Sequence, residues 1–337
     1  MIKRLFKKIL KKTIYPTNNT NWYAKKGYVG ENDQQIFQSF IKAQRNKSGV
    51  FYKAFENLQL RRQFITSREA QLDSVLIKPN NDIAKGKTGQ NHFFILFQGR
   101  KEPYEKRFRD MAILAKETGA SVLGFNPKGF HSSTGKIKNL DDIVNDGIAI
   151  VNYLLSQNIH PSKIILLGNS LGAGIQELVC KHFRKEKSYD FKQINSNSFK
   201  TIAAVFACNY NMPTLEKTLH KFLLYIGWDF DFEKSYYQTG INRFYLRRKD
   251  DRTIYEKAEY KIMVDEIADY NNCPEYYKET NKWLNNHSQL IYTGKETNKD
   301  PHIMSLHFFK TVKISEDRKP YSPYDLINRF LISGKNQ

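Results

Sequence analysis

The chain has 337 residues, of which 40% are hydrophobic and 14% aromatic, so it can bury a substantial core and wholesale disorder is excluded. Its formal net charge is +20, but the basic residues are scattered and accompany no nucleic-acid-binding motif, so we expect no specific nucleic-acid partner. The sparse cysteines lack Cys-x-x-Cys spacing, and we therefore expect no disulfide framework, no metal site and no cofactor; they are Cys180, Cys208 and Cys273.

Residues 1–12 form a short basic amphipathic segment, in which Ile2, Leu5, Phe6 and Ile9 recur at helical spacing with lysines between them. This pattern predicts peripheral contact with an anionic membrane surface; a targeting segment and a basic arm packed on the domain are the alternatives. The lysines interrupt any apolar run, so we expect no secretory signal peptide. No apolar run approaches the roughly 18 residues of a membrane span, and we expect a cytoplasmic location in the producing cell.

Hydrophobic periodicity beyond residue 30 predicts a helix near 33–43, followed by a hairpin of two strands, 58–66 and 71–77. The next predicted elements are strand 92–97, helix 107–118, strand 121–125, helix 141–156, an apolar strand ending before Gly168, helix 175–183 and strand 201–208. Strand and helix alternate four times in this part of the chain. This alternation predicts a mostly parallel α/β sheet with flanking helices.

Residues 209–260 break the alternation, because they are rich in aromatic residues and then strongly basic around 247–252. An insertion here would lie above the carboxyl ends of the strands, where ligands bind in α/β sheets. We predict a helical cap whose aromatic residues either shape an acyl-binding lid or form only the core of the cap. Beyond it, strands are predicted at 260–264 and 289–292, with an amphipathic segment at 275–285. The predicted organisation is an N-terminal extension (1–50), a core (51–208 and 261–337) and a cap (209–260).

The sequence Gly168-Asn169-Ser170-Leu171-Gly172 follows a short apolar run and precedes the helical segment 175–183. It matches the Gly-x-Ser-x-Gly elbow, in which a serine occupies a sharp turn between a strand and a helix. Glycines flank such a serine because its strained backbone leaves no room for neighbouring side chains. Ser170 is therefore the predicted nucleophile.

A serine hydroxyl needs a histidine to accept its proton, and a carboxylate to orient the imidazole. Proteins with this elbow place the serine first, then the acid, then the histidine. His302 and His307 follow the predicted strand 289–292, where the histidine belongs, and Asp-Pro before His302 favours a loop there. We predict His302 as the base, with His307 as the alternative.

The acid is predicted just after the apolar strand candidate 260–264. Asp265 follows that strand directly and is our choice, with Glu266 and Asp269 as rivals. Asp265 or Asp269 could instead cap a helix.

The oxyanion of the transition state needs two backbone N–H donors. One is predicted from Leu171, the residue after the nucleophile, and the other from Gly99 or Arg100, in the loop after strand 92–97. The polar loop 131–135 lies near the same end of the sheet, and we expect it to form a turn from strand to helix.

Three segments together resemble the α/β-hydrolase superfamily in order and spacing: Gln98-Gly99-Arg100, the run from Gly124 to Phe130 with Ser133-Thr134-Gly135, and the elbow. The middle segment resembles the Asn-x-Arg-Gly loop of many lipases and serine esterases, except that Lys128 replaces the arginine. The layout also resembles the lipase-like, SidB-type effectors of intracellular bacteria. The resemblance covers about residues 59–315, without the N-terminal region and the predicted cap, and implies an α/β-hydrolase fold and delivery into a host cell.

The residues and the resemblance together predict a serine hydrolase that cleaves an acyl ester, lipid or thioester through an acyl-enzyme on Ser170. Two alternatives stay open. The chain could be a hydrolase-fold protein without catalysis that binds membranes, or an acyltransferase that uses the same residues.

Overall fold

The computed structural model describes residues 22–45, 55–232, 235, 243–248, 288–292, 312–313, 320–321 and 323–332. The amphipathic segment 1–12 lies outside these residues. So do the strand candidate 260–264 and the segment 275–285.

The described strands pair into one sheet. They are β1 (Leu58–Ser67), β2 (Ala70–Pro79), β3 (Phe93–Phe97), β4 (Ser121–Phe125), β5 (Ile164–Asn169), β6 (Lys192–Ser196), β7 (Arg243–Arg248), β8 (Ser288–Tyr292), β9 (Val312–Lys313) and β10 (Pro320–Tyr321). Their order is β1-β2-β4-β3-β5-β6-β7-β8-β9-β10. Neighbours from β4 to β8 are parallel, whereas β1–β2, β2–β4, β8–β9 and β9–β10 are antiparallel. The predicted mostly parallel α/β sheet is confirmed.

Helices cover both faces of this sheet. They are α1 (Trp22–Lys25), α2 (Asp33–Arg45), α3 (Asn81–Ala84), α4 (Phe108–Thr118), α5 (Leu140–Ser156), α6 (Leu171–Lys187), α7 (Ile202–Asn209), α8 (Glu216–Ile226) and α9 (Pro323–Ile332). Short 3₁₀ turns occur at Tyr104–Arg107, Pro161–Lys163 and Pro213–Leu215. None of the described helices is long and apolar enough to cross a bilayer.

Alternate residues of the central strands feed two cores, because successive side chains of a strand point to opposite faces. On β3, Ile95 and Phe97 pack with α5, α6, α7 and α8, whereas Phe94 and Leu96 pack with α2, α4 and α9. Both faces are covered, which is why these strands read as continuous apolar runs. The carboxyl ends of the parallel strands remain as the edge where loops can build a site.

One predicted element is wrong. Residues 201–208, predicted as a strand, belong to helix α7, and the strand that follows the elbow helix is β6. Thr201 caps α7 by accepting the Ala204 N–H at 2.9 Å, and Asp229 accepts the N–H groups of Ile202 and Ala203 at 2.7 and 3.1 Å. These caps satisfy the donors that a helix start leaves unpaired, so an apolar run that resembled a strand is stable as a helix.

The boundary of the predicted cap is also corrected. Strand β7 lies inside the range 209–260, and it pairs in parallel with both β6 and β8 as part of the sheet. Because β7 is rich in aromatic and basic residues, its sequence resembled that of the predicted insertion. Helix α8 lies before it, and the residue that ends α8, Gly227, accepts the N–H of Leu140, the first residue of α5, at 3.0 Å.

The other predicted elements that fall on described residues agree with the structure. The hairpin 58–66 and 71–77, the helix 33–43 and the strand 289–292 are confirmed within a few residues. So are the strands and helices from residue 92 to residue 183.

Candidate active site

Ser170 occupies the turn between β5 and α6 and has φ 52° and ψ −121°. A serine rarely adopts a positive φ, and such strain persists only where the surroundings enforce it. Here the Ser170 N–H donates to the carbonyl oxygen of Ser196, at the end of β6, at 2.8 Å. This hydrogen bond holds the strained turn against the neighbouring strand β6. Ser170 is only 6% exposed.

The two glycines of the elbow are required by close backbone contacts. A Cβ at Gly168 would lie 2.6 Å from Cα of Ala173, in the first turn of α6. A Cβ at Gly172 would lie 2.6 Å from the carbonyl oxygen of Gln98 and closer still to that of Phe97. Only glycine therefore lets α6 approach the end of β3.

The loop after β3, which carries the second predicted oxyanion donor, lies close to the elbow. Leu171 is the first residue of α6, and its N–H has no acceptor among the described residues. A Cβ at Gly99 would lie 3.4 Å from the Asn169 carbonyl oxygen, so the loop after β3 passes directly beside the elbow. Arg100 follows in the same loop and is exposed.

A cavity that is partly open to solvent lies at the carboxyl ends of β3, β5 and β6; the space it encloses together with the adjoining open solvent is about 600 Å³. Its inner wall is apolar and is made by the strands together with α4, from Leu96, Leu167, Met111 and Leu114. Its polar residues include Asn169, which precedes the predicted nucleophile, and Ser196. A smaller cavity lies on the other face of the sheet, and its lining includes Phe97, Phe125, Leu171 and Ile175.

Charged residues also line the larger cavity. Arg107 lies 2.7 Å from a carboxylate oxygen of Glu102 and 2.9 Å from one of Asp110. The three side chains are largely buried, so these ion pairs fix the loop between β3 and α4. One arginine faces two carboxylates, which leaves this group with a net negative charge.

The loop after β4 is held by a buried polar network around Asn126. Its side-chain oxygen accepts the Tyr104 N–H at 3.1 Å, and its nitrogen donates to both oxygens of Glu105 at 3.1 and 3.0 Å. Its carbonyl oxygen accepts the Ser133 hydroxyl at 2.7 Å, and that hydroxyl oxygen accepts the Asp73 N–H at 2.8 Å. Burial, reinforced by the charge of Asp73, raises the pKa of Glu105 to about 8. The carboxyl group therefore keeps its proton at neutral pH.

Lys128, which departs from the arginine of the resembled motif, pairs with helix α5. Its ammonium group lies 3.2 Å from Asp146 and 3.6 Å from Asp142, and its N–H donates to Asp146 at 2.8 Å. Ser67 also donates to Asp146, at 2.7 Å. Burial raises the pKa of Asp146 to about 6, against the opposing effect of Lys128. Residues 131–135 form a turn, in which the Ser133 N–H donates to the Phe130 carbonyl oxygen at 3.0 Å and the Gly129 N–H donates to that of Thr134 at 2.9 Å.

The predicted base and acid lie outside the described residues. These are His302, with His307 as its alternative, and Asp265, with Asp269 and Glu266 as its rivals. Within the described part of the chain, no group of three or more histidine, cysteine or carboxylate side chains could hold a metal ion.

Sequence reasoning missed Ser196, because it missed the strand that carries it. The local signal was the polar run Asn195-Ser196-Asn197-Ser198 between Ile194 and Phe199. Such a run at the end of a buried strand indicates side chains gathered at the edge where parallel strands present their ligands.

A family model described as "Chlamydia CHLPS protein (DUF818)" matches residues 4–252, which is more than half of the chain. The chain belongs to this DUF818 family. No curated protein matches the chain. The family's match includes the elbow, the loop after β3 and the network around Asn126.

Among solved structures, the DUF818 chain is similar to an alpha-beta hydrolase from Vibrio vulnificus, with a TM-score of 0.54 and 14% identity over 78% of this chain and 82% of that one. It is also similar to an esterase from Pyrococcus furiosus, with a TM-score of 0.46 and 17% identity over 69% and 81% of the two chains. The first similarity, together with the strand order, shows that the chain has the α/β-hydrolase fold.

Proposed function

We propose that this protein is a serine hydrolase that cleaves a carboxylic ester or thioester through an acyl-enzyme on Ser170. The observation that carries the proposal is the strained Ser170 backbone, with φ 52° and ψ −121°, between a buried strand and a helix. The uncommitted Leu171 N–H beside it supports the same function, because such a donor can stabilise an oxyanion.

In the proposed reaction the Ser170 oxygen attacks the carbonyl carbon of the substrate, and its proton passes to His302, or to His307 as the alternative. Asp265, with Asp269 and Glu266 as rivals, orients the imidazole and stabilises its charged form. The N–H groups of Leu171 and of Gly99 or Arg100 bind the oxyanion.

Collapse of the tetrahedral intermediate breaks the bond to the leaving group, which takes the proton from the imidazolium. Water then attacks the acyl-enzyme, giving up its proton to the histidine, and the carboxylic acid leaves as Ser170 recovers its proton. No redox partner is needed: the proton that leaves Ser170 ends on the leaving group, and water supplies the proton that restores the Ser170 hydroxyl.

A fluorophosphonate probe tests the proposal. The wild-type protein should be labelled at Ser170, and Ser170→Ala should lose both the label and, by about a thousandfold or more, ester hydrolysis. The unfolding temperature should hardly change, because serine and alanine meet the same backbone strain. Ser162→Ala is the matched control, since Ser162 is an exposed residue in the turn before β5. Folded wild-type protein that resists the probe would contradict the proposal and favour a membrane-binding protein without catalysis.

Product analysis separates hydrolysis from acyl transfer. With an alcohol or amine present, a hydrolase should release mainly the free acid, whereas an acyltransferase should form the new ester or amide.

We further propose that residues 1–12 hold the protein on an anionic membrane surface, because their basic side chains interleave with apolar ones. The resemblance to SidB-type effectors adds the proposal that the protein acts inside a host cell. A translocation reporter fused to the chain tests this, and a reporter that stays in the producing bacterium would contradict it.

A further inference from the structure

In the larger cavity, polar and apolar residues occupy different parts of the wall. Its polar residues Asn169 and Ser196 stand beside Ser170, because Asn169 precedes it in the chain and the Ser196 carbonyl accepts its N–H. Its apolar residues, Leu96, Leu167 and Met111, come from the sheet interior and from α4. Asn169 and Ser196 therefore mark the part of the cavity that lies nearest to Ser170.

The two polar groups lie side by side. Asn169 and Ser196 are register partners in the parallel pair of β5 and β6, so their side chains project to the same face of the sheet. The side-chain oxygen of Asn169 and the hydroxyl of Ser196 are both buried without a hydrogen-bond partner among the described residues. Ser196 is only 3% exposed.

Burying an unpaired polar atom is unfavourable, and most buried polar groups in proteins have a partner. Two unpaired atoms that face one cavity therefore point to a ligand that supplies the missing hydrogen bonds. The Asn169 oxygen can only accept a hydrogen bond, whereas the Ser196 hydroxyl can donate and accept. A hydroxyl group satisfies both, because it can donate to Asn169 and accept from Ser196.

The charges around the cavity argue against an anionic group in its place. Arg107 is already paired with the carboxylates of Glu102 and Asp110. A carboxylate or phosphate would lose solvation there without gaining a free cationic partner from this group. A neutral polar group has no such cost.

We propose that this cavity binds the acyl chain of the substrate, and that Asn169 and Ser196 select chains with a hydroxyl group within the first few carbons after the carbonyl. The inference rests on the proposed function, since it places the carbonyl carbon at Ser170. The hydroxyl then lies between Asn169 and Ser196, and the remaining hydrocarbon contacts Leu96 and Leu167. The preferred substrates are thus hydroxyacyl esters or thioesters.

Turnover of matched esters tests the selection. The p-nitrophenyl esters of octanoic, 2-hydroxyoctanoic and 3-hydroxyoctanoic acid differ only in the hydroxyl group. One of the hydroxy esters should show a kcat/KM about three- to tenfold above that of the octanoate, as expected for one or two net hydrogen bonds. Ser196→Ala and Asn169→Leu should each reduce this ratio towards one, whereas Ser162→Ala should leave it unchanged. If the wild-type protein hydrolysed the three esters with the same kcat/KM, the inference would be overturned and the hydrolase proposal would stay intact.

Binding to Ser170→Ala protein tests the cavity without catalysis. Methyl 2- or 3-hydroxyoctanoate should bind about three- to tenfold more tightly than methyl octanoate by titration calorimetry, and Ser196→Ala in the same background should remove the difference. Equal affinities would mean that water fills the polar end of the cavity, which overturns the inference. Selective binding by a protein that resists the fluorophosphonate probe would support the cavity assignment and contradict only the proposed hydrolysis.

Discussion

Gly172→Ala should separate catalysis from folding at the elbow. The new Cβ would lie 2.6 Å from the Gln98 carbonyl oxygen and closer to that of Phe97. Carbon–oxygen contacts are ordinarily about 3.3 Å or longer, so the first turn of α6 and the end of β3 must move apart by roughly 0.7 Å or more. The atoms in the way belong to the backbone of a central strand and cannot rotate aside.

The loss of activity should exceed the loss of stability. A misplacement of about 1 Å can reduce a rate about a hundredfold, and the displaced groups would include both proposed oxyanion donors. Overpacking costs about 1–3 kcal/mol, and the better helix propensity of alanine returns up to about 1 kcal/mol. We expect an unfolding free energy about 2 kcal/mol lower and, for a chain of 337 residues, a melting temperature lower by roughly 3 °C.

Gly99→Ala is the matched control. Its Cβ would lie 3.4 Å from the nearest atoms, which are the amide nitrogen and carbonyl oxygen of Asn169. We therefore expect this variant to keep most of its activity. Ester hydrolysis, fluorophosphonate labelling rates and thermal melts of both variants make the comparison. If Gly172→Ala kept wild-type kcat/KM and melting temperature, the close approach would not support the site.

Three further predictions concern other parts of the chain. Burial raises the pKa of Glu105 to about 8 from an ordinary 4.5, so the folded state keeps a proton that the unfolded state releases. The free energy of unfolding should therefore fall as the pH rises from 5 to 8, by at most about 1.4 kcal/mol per pH unit. Glu105→Gln should reduce this dependence on pH, measured by urea titrations at several pH values. The same dependence in both proteins would contradict the raised pKa of Glu105. Asp229→Ala should lower the unfolding free energy by about 2 kcal/mol or more, because Asp229 caps α7. It should also lower the pKa of His220 in an NMR titration, because the hydrogen bond to Asp229 raises that pKa. An unchanged His220 pKa would refute this. Removal of residues 1–12 should weaken binding to phosphatidylserine vesicles at least about tenfold, and binding that is unchanged and insensitive to salt would contradict the proposed membrane contact.

The sequence predicts β1 to β5 and the elbow well, because local patterns and tertiary environment agree there. The strands buried on both faces are continuous apolar runs, and Gly168 and Gly172 are demanded by contacts within the motif and with β3. The elbow and the loop after β3 are 70 residues apart or more, yet both carry glycines that mark the close approach. Where local geometry dictates the residue type, as at these glycines, the structure can be predicted from a single sequence.

The failures at β6 and α7 have a common physical cause. The five residues of β6, Lys192–Ser196, include only one apolar side chain, Ile194, so hydrophobic periodicity does not reveal the strand. In α7 the apolar run is helical because Asp229, a residue distant in sequence, binds its first N–H groups. Strand β7 was hidden similarly, since arginines flank its apolar centre. Tertiary hydrogen bonds determine the secondary structure of these segments, and the local sequence pattern does not reveal those bonds.

The polar character of β6 follows from what the elbow requires of it. A strained Ser170 costs on the order of 1–3 kcal/mol and needs surroundings that hold it. The carbonyl oxygen of Ser196 accepts the Ser170 N–H at 2.8 Å, and this contact can form only if β6 pairs with β5 as far as their carboxyl ends. A large apolar side chain at position 196 would fill the cavity that the serine now lines. The residue that fastens the strained turn must therefore be small. Our assignment of a polar ligand to the cavity explains why it also carries a hydroxyl.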